Sequence, residues 1–166
     1  MAMDDEKFRS VPLNSLEPNE CSPRPADFFF RGILLNAPQQ VAFKKGEYIG
    51  PRRAFAGIPI CGYYMLAATS IPQGHDVLSS ICLMARNIKT GKEYSGMIRD
   101  PDPQPPPPTD VPQPSPEDLA GLSVGGYFNP NLVDYVPIPA EPGIYEVHAE
   151  VGDIKSNTVT IELVQK

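Results

Sequence analysis

Hydrophobic and polar residues alternate most regularly in the last quarter of the chain. Every second residue from Tyr145 to Val151 is apolar, and the same spacing returns from Thr158 to Val164, after Gly152-Asp153. A period of two is the pattern of a strand with one face in a core and the other in water. Because a slip of one residue would bury polar groups in both segments, the register is strongly specified. The tail predicts two strands joined by a tight turn.

Other segments of strand length precede this tail. They are residues 28–35, 41–48, 58–67, 77–88, 93–98 and 132–138. Thr90-Gly91-Lys92 predicts a hairpin turn, and Gly125-Gly126 is interpreted as a further turn. One short helix is predicted from Ser115 to Gly121, because a capping serine, a first-turn proline and two acids precede a glycine. About seven or eight short strands separated by turns are the pattern of an all-β sandwich.

The tail also carries a family resemblance. The run from Glu141 to Val147 reads acid-x-Gly-x-Tyr-x-apolar, and with Ser156 to Ile161 it resembles the F and G strands of bacterial immunoglobulin-like and fibronectin-like domains. The resemblance covers about a quarter of the chain and implies an immunoglobulin-like antiparallel β-sandwich in which Tyr145 has a structural role. Val147 stands where antibody domains carry cysteine, and the chain has no tryptophan, so an antibody-type domain is excluded. Such sandwiches host many unrelated activities.

Proline usage predicts the domain organisation. Residues 1–26 carry four prolines among charged residues and predict an extended N-terminal arm, while residues 27–166 predict a single β-sandwich domain. Within it, residues 100–116 form a proline-rich inter-strand loop that favours polyproline II. This tract is either a ligand for an aromatic-lined groove or a rigid spacer between the sheets.

Two aromatic runs cannot place all of their side chains in one core. Successive strand residues point to opposite faces, so core positions for Phe28 and Phe30 would turn Phe29 outward, and Tyr63 and Tyr64 must likewise diverge. Either the arm or a loop covers the outward side chains, or they are exposed for recognition. The candidate binding residues are Phe29, Tyr63, Tyr64, Tyr127, Pro105, Pro106, Pro107 and Pro108.

The net charge and the reactive residues reduce the number of functions that the chain can have. The formal net charge of −6 argues against nucleic-acid binding, and no stretch approaches the ~18–20 apolar residues of a membrane span. Cys21, Cys61 and Cys82 leave at least one free thiol or intermolecular bond, and their spacing matches no zinc pattern. His75 and His148 lie beside acids without further converging ligands, so no metal site and no cofactor are predicted. No catalytic signature is present, so we predict no enzyme.

A non-enzymatic protein-binding module is the function that these features favour. An inhibitor or immunity-type protein is one form of it, since a small acidic chain suits a basic site on its partner. The alternatives are a carbohydrate-binding or accessory module of the cell envelope, with Tyr63, Tyr64, Tyr127 or Phe128 as its platform, and a structural subunit that assembles by edge-strand pairing.

The sequence around the N-terminus bears on localisation. It is acidic and lacks the basic and apolar regions of a secretory signal, which favours the cytoplasm, or the periplasm or cell envelope if a leader peptide was removed. The oligomeric state is not specified by any pattern in the chain.

Overall fold

The computed structural model describes residues 5–43, 57–71, 76–99 and 115–166. Within these ranges the strands are β1 (Gly32–Asn36), β2 (Gln40–Phe43), β3 (Cys61–Ala67), β4 (Cys82–Asn87), β5 (Glu93–Met97), β6 (Ser123–Phe128), β7 (Gly143–Val151), β8 (Ile154–Lys155) and β9 (Val159–Gln165). Two α-helices of one turn each are α1 (Pro116–Leu119) and α2 (Leu132–Tyr135). Single 3-10 turns lie at Asp5–Phe8, Ala68–Ser70 and Leu78–Ser80.

The described strands form an all-β sandwich of two sheets. The smaller sheet has the order β1-β3-β6, and the larger sheet has the order β2-β9-β7-β4-β5, with β8 paired to β7. These pairings are antiparallel except for β2, which runs parallel to β9 and so departs from the antiparallel prediction. Pro38 has no N–H to donate and lies between β1 and β2, where the chain leaves one sheet for the other.

The core lies between the sheets and contains the alternation predicted for the tail. Tyr145, Val147, Ala149 and Val151 of β7 are buried, which confirms the predicted register. They meet the inward side chains of the smaller sheet in one cluster, which also includes Ile33, Leu35, Leu66, Leu83, Phe128, Ile161 and Leu163. Val159, the outermost apolar residue of β9, is only partly buried and packs against this cluster.

The N-terminal arm is fixed to the smaller sheet. A disulfide joins Cys21 of the arm to Cys61 at the start of β3, and Phe8 and Val11 are buried beside it in a second cluster. Cys82 is left as a free thiol, which is one of the two outcomes that the odd number of cysteines predicted. The arm therefore contributes buried surface and a covalent link, although residues 5–26 form no strand longer than a single bridge at Ser15.

Two local predictions are confirmed by the structure. β4 and β5 form a hairpin across Thr90-Gly91-Lys92, in which Gly91 has φ +75°. The α1 helix begins after Ser115, whose hydroxyl accepts from the Asp118 N–H while the Asp118 carboxylate accepts from the Ser115 N–H. This reciprocal capping box satisfies amides that a short helix cannot pair internally.

Three local predictions are wrong. The segment 132–138 contains the helical turn α2 in place of a strand, with Leu132, Val133 and Val136 on one buried face and Pro137 preventing strand pairing. Residues 77–81 contain a 3-10 turn before β4 begins, because Asp76 accepts from the Ser79 N–H. Gly125-Gly126 lies inside β6, a strand that the sequence analysis did not predict.

Among the described residues, no helix is long and apolar enough to cross a membrane.

Candidate functional site

The outer face of the smaller sheet collects side chains from all three of its strands. Tyr63 of β3 pairs with Leu34 of β1 on one side and with Tyr127 of β6 on the other. Met65, two residues along β3, pairs with Gly125. Cross-strand partners share a face of the sheet, so these residues lie on the side that points away from the core.

Three aromatic rings form a row on this outer face, which we call the aromatic face: Phe30, Tyr63 and Tyr127. The centroids of Tyr63 and Tyr127 are 5.3 Å apart with the rings inclined by 55°, and those of Phe30 and Tyr63 are 6.2 Å apart with an inclination of 40°. Both separations lie in the range in which aromatic pairs attract each other. All three side chains are partly exposed, so their edges are available to a ligand.

Gly32 is required where the chain enters β1. Its φ is +145°, a conformation that side chains rarely adopt, and a Cβ built on it would lie 3.2 Å from the Phe30 ring. The missing side chain therefore allows the backbone turn and leaves space for Phe30 to pack against the sheet. This local geometry holds one end of the aromatic face in place.

The loop before Phe30 presents two more aromatic side chains. Phe28 is 96% exposed and Phe29 is 84% exposed, and their rings contact each other edge-on at 6.4 Å. The Asp27 carboxylate accepts from the Phe29 N–H at 2.8 Å, and the Phe30 carbonyl accepts from Arg31 Nη1 at 2.8 Å. The Phe28–Phe29 pair is thus held by local hydrogen bonds while its side chains project into solvent.

The other end of the same outer face is covered by the N-terminal arm. Cys61 pairs with Asn36 across β3 and β1, and Cys61 is bonded to Cys21 of the arm. The Asn36 side-chain amide donates to the Cys21 carbonyl at 2.9 Å. The arm therefore covers one half of this outer face and leaves exposed the half that carries the aromatic row.

The structure separates the tyrosine candidates into two groups. Tyr64 pairs with Ile33 on the inner face and contacts Phe128, with ring centroids 6.1 Å apart. A Cβ on Gly126 would lie 2.9 Å from the Tyr64 hydroxyl, so this glycine leaves room for the Tyr64 side chain. Tyr63 and Tyr127 lie together on the outer face, whereas Tyr64 and Phe128 belong to the packing of the core side.

The remaining candidates have different positions. Phe29 lies in the exposed loop, while Pro105, Pro106, Pro107 and Pro108 fall outside the described residues. Sequence reasoning did not name Phe28 and Phe30 as members of the surface, because it assigned them to a strand in which core positions for both would turn only Phe29 outward. Asp27, a residue typical of turns, and Gly32 were the signals that the strand begins later.

Titratable side chains meet at one place on the larger sheet. His148 Nε2 lies 2.8 Å from the Glu150 carboxylate, and Lys155 Nζ lies 3.6 Å from the same carboxylate oxygen. The hydrogen bond from His148 is the main reason that the pKa of Glu150 lies below its usual range. Within residues 5–43, 57–71, 76–99 and 115–166, no three His, Cys, Asp or Glu side chains converge to hold a metal ion. His75 lies outside these ranges.

A cleft of about 580 Å³ lies between the arm and β2. Its lining includes Phe8, Arg9 and Val41, together with Asp5 at the arm's first turn. The Asp5 carboxylate is already engaged, since it accepts from the backbone N–H groups of Gln39 and Gln40. The acid of this cleft therefore serves to attach the arm to β2.

Comparison with known proteins finds no matching family model, no similar curated protein and no similar solved structure.

Proposed function

We propose that this protein is a non-enzymatic protein-binding module and that the Phe28–Phe29 pair and the aromatic face together form its binding surface. The observation that carries the proposal is the exposure of Phe28 and Phe29 at 96% and 84% in a loop held by hydrogen bonds. Large apolar side chains are rarely left this exposed in neighbouring positions unless they serve an interaction. Aromatic residues are also enriched among those that dominate binding energy.

The apolar surface is large enough for its burial to contribute substantially to the free energy of binding. Burial of a phenylalanine side chain contributes roughly 1.5–3 kcal/mol, so the Phe28–Phe29 pair contributes about 3–6 kcal/mol if a partner covers both rings. That range matches the energies of the strongest contacts in measured interfaces. Phe30, Tyr63 and Tyr127 add partly exposed area next to the pair.

Preorganisation supports the same proposal. The Asp27 side chain fixes the turn through the Phe29 N–H, and Phe30 is packed over Gly32 against Tyr63. A loop that is already ordered loses less conformational entropy when it binds. The exposed rings therefore project from a loop whose backbone is already ordered before binding.

Charge favours a basic partner. The chain has a formal net charge of −6, which accelerates the encounter with a positively charged surface and disfavours acidic partners. An inhibitor or immunity-type role, in which this chain covers a basic site of another protein, is the specific form of binding that we propose.

We also propose that the sandwich is of the immunoglobulin-like type. With β1, β3, β4, β6, β7 and β9 taken as A, B, C, E, F and G, the smaller sheet has the composition A-B-E and the larger sheet contains C-F-G. Tyr145 is buried at the start of β7, which supports the structural role implied by the resemblance. Binding through one sheet face and an adjacent loop is compatible with that architecture.

Carbohydrate binding is the second candidate, and the row of Phe30, Tyr63 and Tyr127 favours it. Inclinations of 40° and 55° between neighbouring rings give a stepped surface in place of a flat platform. The fully exposed Phe28–Phe29 pair also has no hydrogen-bonding group for a sugar hydroxyl, which makes a protein partner the better fit. A glycan array with the purified protein separates the two functions.

Affinity capture from the native lysate tests the proposal. Bait proteins are the wild type, Phe28→Ser/Phe29→Ser, and the control Ile88→Ser, which changes an exposed apolar residue beside the larger sheet. A fourth bait carries a Gly/Ser linker in place of residues 101–114. The proposal expects one partner that is retained by the wild type, the control and the linker variant and is lost by the double variant.

Other patterns would contradict it. Loss of the partner with the linker variant alone would place the site on the proline tract, and retention by all four baits would exclude the aromatic surface. Capture of no partner, with sugar binding on the array, would favour the envelope module. A concentration-dependent mass in light scattering, with no other partner, would favour assembly through edge strands.

A further inference from the structure

The outer face of the larger sheet carries two sulfur donors on one strand. Cys82 and Met84 of β4 point away from the core, whereas the alternate residues Leu83 and Ala85 are buried. The Cys82 thiol donates to the Met84 thioether, and the two sulfur atoms lie 3.6 Å apart. Both side chains are partly exposed. A strand thus holds a thiol and a thioether side by side at the surface.

Neighbouring strands add two more donors to this face. Met97 of β5 pairs directly with Cys82, and His148 of β7 pairs directly with Met84. Directly opposed residues have Cβ atoms about 4.5–5.5 Å apart, which is within reach of these long side chains. Three strands therefore place one thiol, two thioethers and one imidazole at neighbouring positions on one face of the sheet.

The sulfur separation suits a shared metal ion. Two sulfur atoms 3.6 Å apart, each bonded to one metal at about 2.3 Å, subtend an angle of about 100° at the metal, close to tetrahedral. The Nε2 atom of His148 is hydrogen-bonded to Glu150 at 2.8 Å, which leaves Nδ1 as the nitrogen that can bind a metal. In known metal sites the second ring nitrogen of a ligating histidine commonly bonds to a carboxylate in this way.

We propose that Cys82, Met84 and His148 bind a soft monovalent metal ion, Cu(I), with Met97 as a further thioether donor. Thiolate and thioether sulfur select Cu(I), whereas Zn²⁺ rarely accepts methionine as a ligand. On binding, the S–H bond of Cys82 breaks, a Cu–S bond forms and the proton passes to water, while copper remains Cu(I). The site has no sequence signature because His148 lies far along the chain from the β4–β5 hairpin that carries the three sulfur donors.

Binding of Cu(I) can be measured by the protection of the Cys82 thiol against alkylation. The protein is kept with its Cys21–Cys61 disulfide intact, so that Cys82 is its free thiol, and alkylation by iodoacetamide is followed without oxygen. One equivalent of Cu(I), supplied as its acetonitrile complex, is expected to suppress alkylation, whereas one equivalent of Zn²⁺ leaves the rate nearly unchanged. Unchanged alkylation with Cu(I), or equal protection by Zn²⁺, would overturn the proposal.

Substitutions separate a built site from a single reactive cysteine. Competition with bicinchoninate gives the Cu(I) affinity of the wild type, Met84→Leu, His148→Gln and the control Met65→Leu, which lies on the other sheet. We expect losses of at least about tenfold for Met84→Leu and His148→Gln, on the scale found when support of a metal ligand is removed, and no change for Met65→Leu. Equal affinities in all four proteins would show binding to Cys82 alone and would overturn the proposal.

Discussion

Tyr63 and Tyr127 are direct partners across β3 and β6, and their ring centroids lie 5.3 Å apart on the outer face of the smaller sheet. Their contact depends on the strand that the sequence analysis missed, because Tyr127 follows Gly125-Gly126 within β6. The pairing of β6 with β3 therefore creates the aromatic face, and the arm on the other half of the same face leaves this part accessible.

Direct contact between the two rings predicts coupled effects on stability. In a double-mutant cycle with Tyr63→Ala and Tyr127→Ala, the free energies of unfolding should differ from additivity by about 0.5–1.5 kcal/mol. Urea denaturation measures each variant. A cycle of Tyr63→Ala with Tyr94→Ala, a tyrosine of the larger sheet, is the control and should be additive. Additivity in both cycles would mean that Tyr63 and Tyr127 do not touch in solution.

The disulfide between Cys21 and Cys61 is expected to be a major source of stability. It closes a loop with a sequence separation of 40 residues. The chain-entropy model gives about 4 kcal/mol for a loop of that size, because the link restricts the unfolded chain. Cys21→Ser/Cys61→Ser should lower the free energy of unfolding by about that amount. Cys82→Ser keeps the disulfide and should cost less than about 1 kcal/mol. Equal stability of the double variant and the wild type would contradict this role of the arm.

Gly96 should not tolerate a side chain. A Cβ at this position would overlap the Tyr135 carbonyl oxygen, so α2 packs directly on the backbone of β5. Because the clash involves main-chain atoms on both sides, Gly96→Ala should destabilise the fold by at least about 2 kcal/mol. Ser95→Ala, one position earlier on an exposed side, is the matched control with a small expected effect. Thermal unfolding that gives similar midpoints for both variants would show that α2 does not dock there.

The reactivity of Cys82 should depend on pH in a defined direction. Burial and then the negative charge of Glu150 raise its pKa, so the midpoint of iodoacetamide alkylation should lie above that of a free thiol. Glu150→Gln removes the charge and should move the midpoint down, while the contribution of burial remains. Lys155→Gln, which changes a cation near the same carboxylate, should not lower it. A midpoint at or below that of a free thiol would contradict this environment.

The parts of the fold that could be predicted are those with a local periodic cause. In β7 each buried residue is followed by a partly exposed one, so the alternation specified both the strand and its faces. The Ser115 capping box and the Gly91 turn depend on contacts within a few residues. In these cases the chemistry that forms the element lies inside the segment itself.

The errors occurred where a distant contact determines the local structure. Gly125-Gly126 was interpreted as a turn, but here the missing side chains leave room for Met65 and Tyr64 of the neighbouring strand. The segment 132–138 has strand-like apolar residues, yet the Leu132 N–H bonds to the Ile58 carbonyl and the chain turns there. Neither partner is visible from the segment alone.

The candidate site was predictable only in part. The alternation of strand residues correctly predicted that Tyr63 and Tyr64 lie on opposite faces, but it could not assign Tyr63 to the outer face. The same argument was applied to Phe28 and Phe30, although β1 begins only at Gly32. The exposed pair therefore includes Phe28, which the strand interpretation had not named as a binding residue.

The most direct test of the binding surface is the dissociation constant of the captured partner, measured by titration calorimetry with purified proteins. Loss of about 3 kcal/mol or more should weaken binding of Phe28→Ser/Phe29→Ser by at least about a hundredfold relative to the wild type. Ile88→Ser should bind like the wild type. Dissociation constants of the double variant and the wild type within twofold of each other would contradict the claim that these two phenylalanines form the core of the interface.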